Sequence, residues 1–172
     1  MTYTLKREEL GEGLLASVLE ALAKAYKEIG AEVYVVGAAA RDLSLKLLGA
    51  GSAPRRTMDL DVAVLLEKWD EYERLTEILI KDGFVKAPEK QRFYYCGIEN
   101  VRYEVDIVAF GDIAQEEMVA WPPEGNPVMS VRCFADVMKN ADEVSVEDRF
   151  DFRMASLSGH WLIKLDAWCD RR

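Results

Sequence analysis

Apolar positions along the chain repeat with a helical period in some segments and alternate with polar positions in others. The longest helical pattern lies near the N-terminus and ends at Gly30, since a glycine often closes a helix. Its apolar positions are Leu10, Leu14, Leu15, Val18, Leu19, Leu22, Tyr26 and Ile29. Similar patterns predict helices over residues 38–48, 68–81 and 134–140, and a last helix from about residue 159 to the end.

Short apolar or alternating runs between these helices predict strands. The runs cover residues 33–36, 58–66, 93–96 and 103–110, with strand-like pieces between 144 and 154. Because strands and helices are interleaved, we expect an α/β (α+β) fold, a small mixed β-sheet flanked by helices. No linker divides the pattern, so residues 1–172 are expected to form a single domain.

The charge balance is acidic, with 22 Lys and Arg against 31 Asp and Glu and a formal net charge of -9. Such a surface repels phosphate backbones, so any contact with nucleic acid needs a local basic patch. No apolar run is long enough to span a bilayer, and residues 1–10 lack the apolar centre of a signal peptide. The sequence therefore predicts a cytoplasmic protein without a membrane partner.

The cysteines and the single histidine limit the catalytic mechanisms that the chain could use. Cys96, Cys133 and Cys169 lack the spacing of a zinc site, so we expect them to be reduced structural residues. His160 is the only histidine, which argues against Ser-His-Asp, Cys-His and multi-histidine metal mechanisms. Catalysis is therefore expected to use carboxylates, lysine and arginine.

An Asp-x-Asp pair stands in the strand predicted over residues 58–66. Side chains alternate between the faces of a strand, so Asp59 and Asp61 are expected to share one face while the apolar residues beside them enter the core. Adjacent carboxylates repel unless a cation lies between them, and Mg²⁺ prefers oxygen ligands. The pair fits metal-dependent phosphoryl or nucleotidyl transfer, and a solvated strand face is the alternative.

Another acidic residue lies inside a later apolar strand. Asp106 shares a face with Glu104, while Tyr103, Val105 and Ile107 share the other face. A carboxylate in such a strand is costly unless it is paired or binds a metal. If this strand lies beside the Asp-x-Asp strand, Asp106 joins the pair. An edge strand that faces water is the alternative.

Gly37 lies between the strand predicted over residues 33–36 and the next helix. A glycine at this point lets the backbone approach a phosphate, and a helix N-terminus offers free amide donors. A tight turn without a ligand is the alternative. The chain has neither a Walker motif nor a Gly-x-Gly-x-x-Gly motif.

These features, in this order, resemble the nucleotidyltransferase fold of the DNA polymerase β superfamily, which includes the CCA-adding enzymes. The matching positions are Gly37-Ala38, then Asp59 and Asp61, then Asp106. The closer resemblance is to the AbiEii-like nucleotidyltransferases, the toxins of abortive-infection toxin–antitoxin systems. It rests on two segments, Arg55-Arg56-Thr57-Met58-Asp59-Leu60-Asp61 and Lys164-Leu165-Asp166-Ala167-Trp168-Cys169-Asp170-Arg171.

The resemblance implies transfer of an NMP from an NTP to a hydroxyl acceptor, with Mg²⁺ or Mn²⁺ as cofactor. Asp59, Asp61 and Asp106 would be both the catalytic residues and the metal ligands. The residues that would contact the nucleotide are Gly37, Ala38, Arg41, Arg55, Arg56, Thr57 and Lys164. The acceptor would be a tRNA end, a protein hydroxyl or a small molecule, and an antitoxin is the implied protein partner.

Several of these residues have a structural alternative. The arginines suit bidentate phosphate contacts, but they equally suit an exposed loop or a surface salt bridge. Lys164 has apolar neighbours, which favour partial enclosure over a solvated helix face. Trp121, Trp161 and Trp168 are expected to pack in the core rather than stack on a base, since large aromatic rings mostly bury area.

Two departures from the superfamily pattern leave a second function open. Ala38 replaces the Ser or Gly usual after the motif glycine, and the chain ends at Arg172 where the family continues into further helices. Both favour a catalytically degenerate binding or regulatory module. The three carboxylates favour an enzyme, because they would repel one another without a metal. A metal-dependent phosphohydrolase is the third alternative.

Overall fold

Strands and helices alternate along the chain in the computed structural model, which describes residues 1–11, 14–50, 59–96 and 102–169. The strands are β1 (Thr2–Leu5), β2 (Tyr34–Val35), β3 (Asp59–Leu66), β4 (Phe84–Lys86), β5 (Arg92–Cys96), β6 (Arg102–Gly111), β7 (Met118–Ala120), β8 (Val128–Ser130), β9 (Asp142–Val146) and β10 (Phe150–Met154). The α-helices are α1 (Leu15–Glu28), α2 (Gly37–Leu47), α3 (Trp69–Lys81), α4 (Phe134–Lys139) and α5 (Leu157–Cys169).

One mixed sheet organises the fold, with its eight strands in the order β1-β9-β10-β2-β3-β6-β5-β4. The central strand β3 lies antiparallel to β2 and parallel to β6. On the far side of β6, β5 pairs antiparallel with it, and β10 lies parallel to β2. β7 and β8 form a separate two-stranded ribbon. The mixed α/β fold with flanking helices is the one that the sequence predicts.

The central strand shows the alternation between an apolar and an acidic face. Leu60 and Val62 are buried, whereas Asp59 is exposed and Asp61 is half-buried. The neighbouring strand β6 repeats the pattern, because its apolar residues alternate with half-buried acidic ones. The two strands therefore contribute apolar side chains to the core and leave their carboxylates on the other face.

Two groups of helices complete the core. α1 packs against α3 and β10, and it buries Val18, Leu19, Leu22 and Tyr26 completely. Burial of one leucine side chain contributes about 1.5–3 kcal/mol, so this face anchors the helix. In the other group, α5 packs against both α2 and α4. α1 begins later than the sequence predicts, because a short 3-10 turn occupies Arg7–Leu10.

The tryptophans differ in their surroundings. Trp121 is buried, as predicted, and its ring centroid lies 5.1 Å from that of Trp69 and 4.8 Å from that of Tyr72. Trp161 and Trp168 in α5 are 68% and 51% exposed, so the prediction that they pack in the core is wrong for these two. The apolar character of a side chain indicates that it can be buried. It does not determine whether another element of the fold covers that side chain.

The cysteines and the histidine take no part in a metal or disulfide cluster among the described residues. Cys96, Cys133 and Cys169 are free, as predicted, although Cys96 and Cys169 are exposed. His160 is buried, and burial lowers the pKa of its imidazole. Within the part of the chain that the structure describes, no helix is long and apolar enough to cross a membrane.

Candidate active site

The parallel pairing of β3 with β6 brings the predicted carboxylates together. The register places Asp61 opposite Asp106 and Asp59 opposite Glu104. The prediction that Asp106 lies beside the Asp-x-Asp pair is therefore confirmed. Glu104 adds a fourth acidic side chain, so these residues form an acidic patch across two central strands.

Asp61 is the electrostatic centre of this patch. Burial is the largest cause that raises the pKa of Asp61 from 3.8 to about 6, and the charges of Asp106 and Asp59 contribute to the same rise. The positive charges of Lys164 and Arg92 act against this rise. Since the net effect is a raised pKa, the ionised side chain remains short of compensating positive charge. A bound cation would supply that charge.

Gly37 fits against Asp61 so closely that a side chain there would force Asp61 to move. It has a φ of +65°, and an added Cβ would lie 2.1 Å from Oδ2 of Asp61. The turn is also tied to β3, because the Val36 amide donates a hydrogen bond to the Asp61 carbonyl at 2.9 Å. The glycine thus brings the start of α2 directly against the carboxylate, as a backbone-lined site requires.

Arg92 holds the third carboxylate in a bidentate ion pair. Its Nε donates to Oδ1 of Asp106 and its Nη2 to Oδ2, both at 2.8 Å. The same Nη2 lies 2.8 Å from Oε1 of Glu104. Two parallel hydrogen bonds from a planar guanidinium fix the orientation of a carboxylate better than a single contact does.

The sequence interpretation did not identify Arg92, although a signal for it existed. The strands predicted over residues 93–96 and 103–110 are close in the chain, which favours a hairpin. In the structure β5 and β6 are antiparallel neighbours, and Arg92 stands opposite Asp106. Pairing the two predicted strands would have placed an arginine beside the third carboxylate.

Lys86 is a second cation near Asp106 that the sequence interpretation missed. Its Nζ lies 4.1 Å from the ring centroid of Phe93 and donates a hydrogen bond to the Lys90 carbonyl. Burial lowers the pKa of Lys86 to about 8, and the charge of Asp106 opposes that change. The negative charge of Asp106 is therefore offset by an arginine and a half-buried lysine, whereas the negative charge of Asp61 is offset less.

The residues that were predicted to contact the nucleotide have different structural environments. Ala38 is half-buried in the first turn of α2. Arg41 pairs with its neighbour Asp42 at 2.6 Å, which is the salt bridge that its structural alternative described. Arg55, Arg56 and Thr57 lie outside the described residues.

Helix α5 reaches the site through two side chains. His160 is buried where α5 packs against α2, and the Gly37 backbone acts to raise the pKa of its imidazole against the larger lowering by burial. Lys164 lies one turn further along α5, and its charge lowers the pKa of both Asp61 and His160. Lys164 is exposed, so the expectation of partial enclosure is wrong. Its amine can still neutralise a negative group near Asp61.

The carboxylates of the acidic patch suit a hard divalent cation that binds together with the phosphates of a ligand. The carboxylates of Asp59, Asp61 and Asp106 could supply oxygen ligands of the kind that Mg²⁺ or Mn²⁺ prefers. Among the described residues, no three acidic, histidine or cysteine side chains converge on a complete metal site. This is compatible with Mg²⁺, which keeps several waters and often binds through one or two carboxylates plus substrate phosphates. The uncompensated Asp61 beside the Gly37 backbone fits that mode.

No protein-family model and no curated protein matches the chain. Solved structures do match it. The chain is similar to the lincosamide antibiotic adenylyltransferase LnuA with lincomycin bound, with a TM-score of 0.50 and 13% identity over 88% of this chain and 84% of that one. It is also similar to the Thermotoga maritima CCA-adding enzyme complexed with tRNA, with a TM-score of 0.37 and 25% identity over 60% of this chain.

A third similar structure is a cytoplasmic RNA terminal U-transferase, with a TM-score of 0.34 and 18% identity over 53% of this chain and 27% of that one. The match covers only 22% of the length of the CCA-adding enzyme. The likeness to LnuA extends over most of both chains, so it shows the fold. The chain therefore has the nucleotidyltransferase fold that its sequence resemblance predicts.

Proposed function

We propose that the chain is a metal-dependent nucleotidyltransferase that moves an NMP from an NTP to a hydroxyl acceptor. The observation that carries the proposal is the face shared by Asp61 and Asp106, with Asp59 on the same strand and the Gly37 backbone packed against Asp61. A nucleotidyl transfer site needs such carboxylates beside a backbone that can approach phosphates. The fold supports this proposal, because LnuA is an adenylyltransferase.

In the proposed reaction, the acceptor hydroxyl oxygen forms a bond with the α-phosphorus of the NTP. The bond between that phosphorus and the oxygen of the leaving pyrophosphate breaks. Asp106 accepts the hydroxyl proton, and Arg92 holds its carboxylate in a fixed orientation. Asp59, Asp61 and Asp106 would hold Mg²⁺ or Mn²⁺, which supplies charge neutralisation for the triphosphate.

The remaining predicted residues would bind the triphosphate. The backbone of Gly37 and Ala38 stands at the N-terminus of α2, where free amides favour an anion. Lys164 would contribute its charge from α5. Arg41, Arg55, Arg56 and Thr57 complete the proposed contacts, and Arg41 would have to exchange its pairing with Asp42 for a phosphate.

The wider biological role is proposed on the sequence resemblance alone. We propose an AbiEii-like, single-domain cytoplasmic enzyme that acts as the toxin of a toxin–antitoxin pair. The acceptor would be a tRNA end, a protein hydroxyl or a small molecule. An acidic net charge of -9 makes a long RNA less favourable as acceptor, because only a local contact could offset the repulsion.

A binding or regulatory module with the same fold is the second candidate. The observation that favours it is the Arg92 ion pair, because both oxygens of Asp106 already have a partner without metal. In such a module Arg92 would serve only to compensate buried negative charge. Asp61 argues against this candidate, since its raised pKa shows that the fold retains an unfavourable carboxylate.

The test is incubation of the chain with each labelled NTP, Mg²⁺ or Mn²⁺, and separate RNA, protein and small-molecule acceptor fractions. Transfer of label by the wild type and not by Asp59→Ala/Asp61→Ala would support the enzyme and identify the acceptor class. Asp151→Ala, which removes an exposed carboxylate of β10, is the control and should transfer normally. No transfer to any fraction, and no metal-dependent NTP binding, would leave the binding module.

Arg92 provides a prediction that separates catalysis from nucleotide binding. We expect Arg92→Gln to lower kcat roughly 10- to 100-fold and to change the KM for NTP by less than about threefold. The reason is that Arg92 orients the carboxylate of Asp106 and is not one of the proposed triphosphate contacts. Arg92→Lys keeps the charge without the planar fork, so its kcat should be intermediate. Steady-state kinetics with the identified acceptor would measure both constants.

The control for Arg92 is Arg102→Gln, since Arg102 lies on β6 and contacts the ring of Tyr94 rather than a carboxylate. It should retain the wild-type kcat. An Arg92→Gln protein that is fully folded by circular dichroism and has the wild-type kcat would show that Asp106 needs no positioning partner.

A further inference from the structure

The turn between β4 and β5 leads directly into Arg92. It comprises residues 87–91, and we call it the β4–β5 turn. The Ala87 amide donates a hydrogen bond to the Arg92 carbonyl at 3.0 Å, and the Arg92 amide donates one to the Glu89 carbonyl at 3.1 Å. Since Arg92 stands opposite Asp106, a displacement of this turn would displace the arginine that orients the third carboxylate.

One carbonyl of the β4–β5 turn accepts hydrogen bonds from two different elements. Oη of Tyr72, in α3, donates a hydrogen bond to the Lys90 carbonyl at 3.0 Å. Nζ of Lys86, the last residue of β4, donates another to the same oxygen. A carbonyl oxygen has two lone pairs, so it can accept both hydrogen bonds at once. The turn is therefore tied to a helix and to a strand at a single point.

Lys86 lies on the face of the sheet opposite the acidic patch. In the pairing of β4 with β5 it stands opposite Phe93, which is buried in the core. Its Nζ lies 4.1 Å from the ring centroid of Phe93 and 5.6 Å from that of Tyr72. These rings and the Lys90 carbonyl offset the cost of burying an ammonium group, so the amine has one defined position.

The side chain of Lys90 adds a restraint from a distant loop. Its Nζ donates a hydrogen bond to the Pro122 carbonyl at 2.6 Å and forms an ion pair with Glu124. Together with the Tyr72 hydrogen bond, these contacts keep the β4–β5 turn partly anchored when Lys86 is changed. We therefore expect Lys86 variants to fold and to lose precision in the placement of the turn.

Two effects could connect Lys86 to Asp106. One is electrostatic, since the charge of Asp106 acts on the pKa of the Lys86 amine from the other face of the sheet. The other is geometric, and the contacts favour it. Every step from Lys86 through the Lys90 carbonyl and Arg92 to Asp106 is either a hydrogen bond or the backbone itself.

We propose that Lys86 is a positioning residue for nucleotidyl transfer, which fixes the β4–β5 turn and through it the guanidinium of Arg92. Arg92 in turn holds the carboxylate of Asp106 in the orientation that accepts the proton of the acceptor hydroxyl. The proposal rests on the proposed function, since it needs Asp106 to take that proton. Lys86 lies on the opposite face of the sheet, so it acts only through other residues.

The first measurement is steady-state kinetics of Lys86→Met, which keeps an unbranched side chain and removes the amine. We expect kcat to fall roughly tenfold and the KM for NTP to change by less than about twofold. Lys86→Arg keeps the charge and a donor, so it should recover most of the loss. The matched control is Lys46→Met, because Nζ of Lys46 also donates to a backbone carbonyl, that of Glu9, at the end of α2 away from Gly37. It should retain the wild-type kcat.

A double-mutant cycle separates the geometric effect from the electrostatic one. If Lys86 acts through Arg92, its removal should cost nothing further once Arg92 is changed. The kcat of Lys86→Met/Arg92→Gln should then lie within about twofold of that of Arg92→Gln alone. A direct effect of the Lys86 charge on Asp106 does not need Arg92, so it would lower kcat by the same factor in both backgrounds.

The second measurement needs no substrate and no metal. Hydrogen exchange followed by NMR reports the local opening of the β4–β5 turn through the amides of Ala87 and Arg92. Both should exchange roughly tenfold faster in Lys86→Met, and neither should change in Lys46→Met. Tyr72→Phe removes the other donor to the Lys90 carbonyl and keeps the ring, so it should accelerate exchange in the same direction.

Three results would overturn this inference and leave the proposed function intact. They are a wild-type kcat in folded Lys86→Met, equal losses of kcat with and without Arg92, and unchanged exchange of the two amides in the turn. If Lys86→Met does not fold, Tyr72→Phe takes its place in the cycle, and a wild-type kcat there would have the same meaning. Absence of transfer by the wild type with every acceptor would overturn the proposed function, and this inference with it.

Discussion

Gly37→Ala is expected to destabilise the protein by about 3–5 kcal/mol and to abolish nucleotidyl transfer. The new Cβ would lie 2.1 Å from Oδ2 of Asp61, 2.9 Å from its Cγ and 3.0 Å from its Cβ. Rotation of the Asp61 side chain can relieve the first contact. The contact with Cβ remains, since that atom moves only with the central strand β3.

Backbone strain adds to this clash, because the φ of Gly37 is +65° and alanine avoids that region. Gly49→Ala isolates the strain. Gly49 has a φ of +73°, and an added Cβ there meets nothing within 4 Å. This control should cost only about 1–2 kcal/mol and leave transfer intact. Urea denaturation and the label-transfer assay measure the two effects.

Equal destabilisation of Gly37→Ala and Gly49→Ala would contradict the close packing of Gly37 on Asp61. The prediction also separates two interpretations of the glycine. If Gly37 served only to let phosphate approach, its substitution would affect nucleotide binding and would cost no more stability than Gly49→Ala does. In the structure Gly37 packs directly against Asp61, so we expect both nucleotide binding and stability to change more than in the control.

The carboxylates could be predicted from sequence because their strands carry a local signal. Asp59 and Asp61 alternate with buried residues along one strand, and Asp106 does so along another. Only the pairing of the two strands was missing, and a parallel register between β3 and β6 supplies it. The nucleotidyltransferase resemblance implied the order of these residues, with the Asp-x-Asp pair on one strand and the third carboxylate on a later strand.

Features that depend on distant pairing could not be predicted in this way. β1 pairs with β9, so Thr2 lies opposite Glu143 across most of the chain. Its short alternating pattern carries no information about that partner. Arg92 is a smaller case, because its role appears only once β5 is placed antiparallel to β6. The sequence places Arg92 just before a predicted strand, and only the register shows that it lies opposite Asp106.

The tryptophans of α5 show a second reason why the sequence alone could not predict the structure. Trp161 and Trp168 have the identity and spacing of core residues, and the sequence predicted burial. The buried side of α5 instead contains Gly159 and His160. An added Cβ at Gly159 would lie 2.7 Å from Cγ1 of Val137, so α5 packs on α4 through its smallest residue. The close approach at a glycine decided the orientation of the helix and left the rings outside.

Asp61→Asn is expected to lower transfer by roughly 10³-fold or more while it raises the stability of the metal-free protein at pH 8. The first effect follows from the loss of the central carboxylate. The second follows from its pKa, which the fold raises from 3.8 to about 6. Such a shift corresponds to about 3 kcal/mol, because ionisation is less favourable in the folded protein than in the unfolded chain.

The sign of the pH dependence can be worked out from the two pKa values of Asp61. Below about pH 4 the side chain is protonated in both states, and the wild type and Asp61→Asn should be equally stable. Between pH 4 and 6 the folded protein binds more protons than the unfolded chain, so wild-type stability falls as the pH rises. Above pH 6 the full difference is present, and the variant should melt several degrees higher.

If the proposed metal site exists, divalent metal should reverse this order, because the charge that destabilises the metal-free fold would then bind a cation. Millimolar Mg²⁺ or Mn²⁺ should raise the melting temperature of the wild type and leave that of Asp61→Asn unchanged. Asp151→Asn, at an exposed position of β10, should match the wild type with and without metal. Thermal unfolding from pH 4 to 8, with and without metal, measures all of these effects. If Asp61→Asn is less stable than the wild type at pH 8 without metal, the carboxylate is a structural residue, and the fold does not hold it at a cost for the sake of a cation.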